Sequence, residues 1–170
     1  MKRILVSSLS IFFVFASVLL SAQQQNQVQS AYIYNFTKYM QWPPAKQSGE
    51  FVIAVVGNSP LTGNLKILSA TKKVGIQPIT VKEYSSVEEI SQCHIILLAP
   101  NSSSQLAGAI EKAQRINALI ITDKPGMAKQ GAGLNFVTVG GKPKFEINQA
   151  AIDKCSIKVN PKLASIGIKV

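Results

Sequence analysis

The sequence predicts an α/β fold: a mainly parallel, doubly wound sheet with helices on both faces, ending in an antiparallel hairpin. Continuous apolar runs that suit strands buried on both faces, such as 51–56 and 94–99, alternate with helical segments. This alternation predicts parallel strands joined by right-handed crossovers. Near the end, two β-rich segments flank Gly140-Gly141, a pair typical of a two-residue hairpin turn. We see no internal repeat.

The first element after the N-terminal segment is predicted to be an amphipathic helix over residues 28–42. Its apolar stripe has the 3.6-residue spacing of Val28, Tyr32, Phe36 and Tyr39. Asn35 and Trp42 fall on that side, whereas Ser30, Tyr34, Thr37 and Lys38 face away. We expect the Asn35 amide to anchor a neighbouring loop, because an unpaired buried amide costs ~1–3 kcal/mol. Pro43 ends the helix.

The central elements follow in regular alternation. A strand over 51–56 is followed by a helix over about 60–70 and a strand over 78–84. A short helix over 86–91 carries a capping box, Ser86-x-x-Glu89. The strand over 94–99, the helix over 103–117 and the strand over 118–122 come next, then one turn over 126–130. The inward residues of the 103–117 helix are expected to be Leu106, Ala109, Ile110 and Ala113.

The hairpin has arms at 134–139 and 144–147. Asn135 interrupts the apolar face of the first arm, and Glu146 separates Phe145 from Ile147. Both polar residues fit either hydrogen-bonded positions of an edge hairpin or a recognition surface. Asn148 is expected to cap a helix that runs to about residue 155. Pro161 is expected to begin a last helix that carries Leu163, Ile166 and Ile168.

The N-terminus has the pattern of a signal peptide. Lys2-Arg3 precede an apolar run over 4–20 and a small-residue cleavage site that ends at Ala22. Residues 1–22 are therefore predicted to be removed, and 23–170 to form a single soluble, exported domain; a retained anchor is the alternative. The remaining 148 residues suffice for one ordinary core. No cysteine lies directly after the apolar run, which argues against a lipid anchor.

The distribution of basic residues argues against a nucleic-acid partner. The whole chain has a formal charge of +10, which falls to +8 without Lys2 and Arg3. The lysines are scattered, and Arg115 is the only arginine beyond residue 22. Nucleic-acid binding is therefore not expected, because it favours clustered basic residues with exposed aromatics. The excess suits a lysine-rich solvated surface, or contact with anionic envelope surfaces or an acidic partner.

Three activities common on such sheets lack their residues here. The loop after the first strand, Gly57-Asn58-Ser59-Pro60, is not a dinucleotide fingerprint, and no acid lies between Phe51 and Lys82. A Walker phosphate loop is also missing, as is the acidic cluster of a phosphoacceptor receiver. With no paired carboxylates, the chain is expected to be neither an enzyme nor a cofactor protein.

The single histidine and two cysteines allow few sites. Cys93 and His94 are adjacent on a strand and so point to opposite faces, which disfavours a nucleophile–base pair. One histidine and two cysteines are too few for a structural zinc site. Cys93 and Cys155 either form a disulfide in an oxidising compartment or remain buried thiols.

A ligand crevice is a candidate at the carboxyl ends of the strands, where such sheets bind small molecules. Its residues would be Asn58, Ser59, Asp123 and Lys124, at the loops 57–60 and 123–126. Backbone N–H groups at helix starts could hold an anion there. The 123–126 segment, Asp-Lys-Pro-Gly, is equally a good turn sequence.

Several motifs together resemble one family. The run from Asp123, Asp-x-Pro-Gly-x-Ala-x-x-Gly-Ala-Gly-Leu-Asn-Phe-Val, is followed by Lys-x-Lys-Phe-Glu-Ile-Asn. The start, from Ala31, is Ala-Tyr-x-Tyr-Asn-Phe-x-Lys-Tyr-x-x-Trp-Pro; Cys-His-Ile begins at Cys93 and Lys-Leu-Ala at Lys162. In this order and spacing, the motifs resemble the YfiR-like periplasmic proteins over residues 28–170. Better-studied relatives carry more cysteine pairs, so redox regulation does not transfer directly.

The resemblance implies a periplasmic regulator that represses a membrane diguanylate cyclase by binding its periplasmic sensor domain, and hence a role in biofilm control. It also implies sequestration by an outer-membrane partner; a homodimer is a further expectation. The candidate contact surface is Trp42, Asn135, Lys144, Glu146 and Asn148, with Trp42 as an aromatic anchor or else a core residue. Two alternatives are a periplasmic ligand-binding module that acts on a sensor kinase and a structural envelope protein.

Overall fold

The computed structural model describes residues 23–170. The predicted signal peptide, residues 1–22, lies outside the described residues. Within them, no helix is both long enough and apolar enough to cross a membrane.

A mainly parallel sheet of eight strands forms the centre, which confirms the predicted α/β class. Its strands are β2 (Phe51–Val56), β3 (Lys73–Val74), β4 (Gln77–Tyr84), β5 (Ile95–Leu98), β6 (Leu119–Thr122), β7 (Leu134–Val139), β8 (Lys142–Ile147) and β10 (Ile168–Lys169). Their spatial order is β10-β8-β7-β6-β5-β2-β4-β3. A second, two-stranded sheet pairs β1 (Met40–Gln41) with β9 (Lys158–Val159).

The strand order contains a reversal. From β2 the chain goes first to its neighbour β4 on one side and then returns to β5 on the other side, both pairs being parallel. From β5 it continues outward through β6 to β7. The carboxyl ends of β2 and β5 are therefore a topological switch point, where the two flanking connections diverge and leave a crevice.

Within residues 23–170, five helices accompany the sheet. The first, α1, covers residues 23–39. The others are α2 (Thr62–Thr71), α3 (Leu106–Ile116), α4 (Gln149–Lys154) and α5 (Pro161–Ile166), with short 3-10 helices at Pro44–Lys46, Val87–Glu89 and Pro100–Gln105. Helix α2 packs against β4, and α3 packs against β5 and β6. The predicted helix over 86–91 is thus only a 3-10 turn.

The hairpin forms as predicted. Gly140 and Gly141 have φ values of 57° and 73°, and β7 and β8 pair antiparallel around them. Both glycines sit in the left-handed region that a type I′ turn requires and that residues with a Cβ rarely adopt. The turn fixes the register, which places Asn135 opposite Glu146 and Phe136 opposite Phe145.

An aromatic cluster joins α1 to the hairpin. The Phe36 ring stands edge-on to the Phe145 ring with centroids 4.8 Å apart and stacks on Phe136 at 6.1 Å. Tyr32 contacts the same two rings from the preceding turn of α1. Such aromatic pairs contribute ~0.5–1.5 kcal/mol beyond area burial. These contacts therefore hold α1 against the hairpin end of the sheet.

The buried stripe of α1 differs from the predicted one. The buried residues are Gln29, Ser30, Ile33, Phe36, Thr37 and Met40, whereas Asn35 is exposed. Asn35 therefore anchors no loop. Thr37 tolerates burial because its hydroxyl donates to the Tyr34 carbonyl at 2.7 Å, within the helix itself. The stripe is displaced by about one residue: Gln29 is buried against the Asp123 carboxyl, and within residues 23–170 the buried Ser30 hydroxyl has no hydrogen-bond partner.

Two helix boundaries and one buried position also differ. Helix α1 ends at residue 39 instead of 42, because the next two residues pair with Lys158–Val159 as strands. Ile168 lies in β10 and not on the last helix, where it pairs with Glu146. Ile110 is only partly buried, and Ile116 takes the fourth inward position of α3.

Candidate functional site

The hairpin polar residues form a network beneath the surface. Asn135 is fully buried, and its Oδ1 accepts hydrogen bonds from the Thr122 hydroxyl at 2.7 Å and from the Lys124 backbone N–H at 3.2 Å. Its Nδ2 donates to Glu146 Oε2 at 2.8 Å. Asn135 therefore ties together the ends of β6, β7 and β8. Of the two interpretations of Asn135, the hydrogen-bonded one describes its position.

The next polar residue, Asn148, also has a structural position. Its Oδ1 accepts from the Ala151 N–H at 3.0 Å, so it caps α4 as predicted. Its Nδ2 donates to the Ala128 carbonyl at 2.7 Å and holds the turn that precedes the hairpin. Lys144, by contrast, is exposed, and Glu146 is half-buried. Lys144 is thus the one member of the predicted surface set that projects freely from the hairpin.

Trp42 is a core residue and not a surface anchor. Only 5% of it is exposed, and its ring stands edge-on to Phe51 with centroids 5.0 Å apart. Its Nε1 donates to the His94 carbonyl at 3.1 Å. Trp42 directly follows β1, and Pro43 disfavours helical backbone geometry at it.

A crevice of about 560 Å³ opens at the β2/β5 switch point. Asn58 is exposed at its edge, and Ser59 is buried nearby with its Oγ accepting from the Leu61 N–H at 3.3 Å. The remaining polar lining comes from Ser85, Glu83, Glu89, Asn101 and Ser102. Gly57, with φ of 81°, packs so closely on Ser102 that a Cβ would clash with its hydroxyl.

Asp123 and Lys124 do not line this crevice. The Lys124 Nζ donates to the Ser103 hydroxyl at 2.7 Å. Burial raises the pKa of the Asp123 carboxyl, and a hydrogen bond with the Gln29 side chain of α1 acts in the opposite direction. The four predicted crevice residues therefore do not lie together: Asn58 and Ser59 lie at the crevice, whereas Asp123 faces α1. The sequence-based prediction did not include Ser85, Asn101 and Ser102. These residues follow the carboxyl ends of β4 and β5, and both strands were predicted.

His94 is held in one tautomer. Its Nδ1 accepts from the Val52 N–H at 3.0 Å, so its Nε2 carries the proton that is donated to the Lys46 carbonyl at 2.8 Å. The imidazole stacks on Phe51 with centroids 4.3 Å apart. Burial lowers the pKa of His94, which keeps the ring neutral. The geometry is that of a packed, doubly hydrogen-bonded core histidine.

The two cysteines are buried free thiols, so the candidate disulfide between them is not formed in the structure. Burial raises the pKa of the Cys93 thiol to about 12 and that of Cys155 to about 11. Thiols with such pKa values are almost wholly protonated at neutral pH and hence poor nucleophiles. Across residues 23–170 no group of three metal-ligating side chains comes together.

Comparison with known proteins agrees with this architecture. One solved structure, described as a conserved domain protein from Vibrio cholerae O1 biovar El Tor, superposes with a TM-score of 0.51 at 16% identity, over 69% of this chain and 54% of that chain. The present chain thus spans about half of that protein's length, and the likeness concerns the fold alone. A search of curated proteins found no significant match. The YfiR/HmsC-like family model matches residues 26–167, and the chain belongs to that family.

Proposed function

We propose that this protein is an exported, non-catalytic regulator that represses a membrane diguanylate cyclase by binding the cyclase's periplasmic sensor domain. The observation that carries the proposal is membership of the YfiR/HmsC-like family over nearly all of the described chain, since the family regulates diguanylate cyclases from the periplasm. The buried, neutral His94 and the protonated thiols support a role without catalysis. An outer-membrane protein that sequesters the regulator, and a homodimer, belong to the same proposal.

Repression requires a difference in affinity between two states of the cyclase. A bound regulator shifts the cyclase toward its inactive state only if it binds that state more tightly. A shift from mostly active to mostly inactive, 99:1 to 1:99, takes ~10⁴-fold preference. The regulator therefore needs a defined contact surface and not general electrostatic attraction.

We place that surface on the outer half of the hairpin and the adjoining C-terminal strand. Lys142 and Lys144 are exposed there, and 51% of Val139 is exposed at the tip of β7. Ile168 of β10 pairs with Glu146 and is 41% exposed. Apolar side chains beside free lysines suit an acidic partner with an apolar centre.

The test of the function is intracellular cyclic-di-GMP in a strain that lacks this protein. The deletion should raise the cyclic-di-GMP level, and a gene that encodes residues 1–170 should bring it back down to the parental level. A gene without residues 1–22 should leave the level raised, because its product would stay in the cytoplasm. An unchanged cyclic-di-GMP level on deletion would contradict cyclase repression.

The contact surface has its own test. Lys144→Glu reverses an exposed charge without touching the Asn135 network, so it should weaken partner capture while the thermal stability stays unchanged. Replacing Glu146 would be ambiguous because it accepts from Asn135. The matched control is Lys72→Glu, an exposed lysine at the end of α2. Equal partner capture by both variants would place the contact elsewhere.

A second candidate function is favoured by the crevice at the β2/β5 switch point. In sheets of this topology, that crevice holds small ligands. The protein would then be a periplasmic binding module that reports to a sensor kinase. Saturable ligand binding that is lost in an Asn58/Asn101 double variant, in a strain whose cyclic-di-GMP does not respond to deletion, would favour this function over cyclase repression.

A further inference from the structure

A cavity separate from both the hairpin surface and the switch-point crevice lies over β6. It has a volume of about 240 Å³ and is bounded by α3, α4 and the turn that precedes β7. This is close to the lower end of the ~300–1,000 Å³ typical of small-molecule sites. Its apolar lining comes from Leu119 and Ile120 of β6, Ile110 of α3, and Ile152 and Cys155 at α4.

Small residues form part of the cavity wall. Gly131 and Gly133 pack closely on its apolar lining: a Cβ on Gly131 would come within 2.7 Å of Ile110 Cδ1, and one on Gly133 within 2.9 Å of Leu119 Cδ1. On the opposite wall, α4 presents Ala150 and Ala151. A larger side chain at Ala151 would fill the space without changing the backbone.

The charge at the rim has one sign. Among residues 23–170, Lys129 and Lys154 are the only charged residues that line the cavity, and both are exposed. Within residues 23–170 the only ion pair joins Lys66 to Glu83, so neither rim lysine is neutralised by a carboxylate. The nearest acid in sequence, Asp153, accepts a hydrogen bond from Gln149 at 2.7 Å. An apolar floor beneath two free ammonium groups is complementary to a ligand that is apolar at one end and anionic at the other.

We propose that this cavity binds a small apolar carboxylate. The ring or short hydrocarbon body would rest on Leu119 and Ile152, and the carboxylate would point to Lys129 and Lys154. Gln114 and Gln130, which are also at the rim, supply amide donors to the same carboxylate. This binding does not depend on cyclase repression, because it involves neither the hairpin surface nor a partner protein.

The test is calorimetric titration of the purified protein with naphthoate and with its neutral amide, naphthamide, at low ionic strength. The two probes share the apolar body and differ in charge. Naphthoate should bind saturably, one molecule per chain. Naphthamide should bind at least about fivefold more weakly, and added salt should reduce the difference because the lysines are solvent-exposed.

Three variants locate the site. Lys129→Gln with Lys154→Gln should bring naphthoate affinity down to that of naphthamide. The control, Lys72→Gln with Lys82→Gln, makes the same charge change at exposed positions outside the cavity and should leave the affinity within about twofold. Ala151→Phe should abolish binding of both probes. Circular dichroism melting of each variant ensures that a loss of binding is not a loss of fold.

Several results would overturn the proposal: no saturable naphthoate binding, equal affinity for the two probes, an equal loss in the control pair, or full binding by a folded Ala151→Phe protein. A fluorescence readout would not serve, because the single tryptophan, Trp42, is buried among Phe51 and His94 and does not line this cavity.

Discussion

Replacing Asn135 by alanine should destabilise the domain strongly, although asparagine at a hairpin position is ordinarily a surface residue. The variant removes a bond to the charged Glu146, a bond from the Thr122 hydroxyl and a bond from the Lys124 N–H. A hydrogen bond to a charged group contributes ~1.5–3 kcal/mol and a neutral one ~1 kcal/mol, and a buried donor left without a partner costs more. In the variant the single proton of the Thr122 hydroxyl can turn to the Leu134 carbonyl, 3.3 Å away, so only part of its contribution is lost.

The expected loss of unfolding free energy for Asn135→Ala is therefore about 3 kcal/mol. For a domain of this size, each kcal/mol lowers the melting temperature by ~2–4 °C, so the fall should be roughly 6–12 °C. Urea unfolding followed by circular dichroism measures the free energy directly. A loss below about 1 kcal/mol would refute the network as the role of Asn135.

Two companion variants make the result specific. Thr138→Ala, at an exposed position of the same strand, should change stability by no more than ~0.5 kcal/mol. Glu146→Gln keeps an oxygen that can accept from Asn135, so it should cost only the difference between a charged and a neutral bond, about 1 kcal/mol. If all three variants lost the same free energy, the strand itself and not the network would be responsible.

Three further outcomes follow from the core. Burial lowers the pKa of His94, so below a pH of about 6.5 the native state binds fewer protons than the unfolded state. The free energy of unfolding should therefore fall as the pH is lowered through this range. The His94→Asn variant should show a shallower dependence of this free energy on pH. The two cysteines should resist Ellman's reagent in the native protein, and both should react after denaturation without reductant; no reaction then would reveal a disulfide. Gly57→Ala should destabilise more than Gly49→Ala, because both glycines have positive φ but only Gly57 would place a Cβ against Ser102. Equal losses for the two glycine variants would mean that backbone conformation, and not the close approach, sets the cost.

Local patterns predicted most of the sheet. The continuous apolar runs of β2, β5 and β6 and the Gly140-Gly141 turn each determine a strand or a turn within a few residues of sequence. Asn148 was likewise predictable as a cap, because its partner, the Ala151 N–H, is three residues away.

The positions that sequence could not predict depend on distant partners. The sequence shows that Asn135 and Glu146 are polar but not what they contact. Only the pairing of β7 with β8 and β6 brings these two side chains together. Tryptophan is a residue type common in interface anchors, yet the Trp42 indole donates to the carbonyl of His94, 52 residues away along the chain. The stripe of α1 shifted for the same reason: Gln29 can be buried because Asp123 lies opposite it.

The small sheet of β1 and β9 joins two segments that are far apart along the chain, with Met40 paired to Val159. The pairing encloses nearly all of the central sheet within one closed loop. Ordering so long a loop costs entropy that only the finished core can offset, so this pairing should form late in folding. Its amides should also be among the first to exchange with solvent, since two-residue strands have few bonds to break. The β1–β9 pairing can thus open by itself, while Phe36 keeps α1 packed on the hairpin and the central strands stay folded.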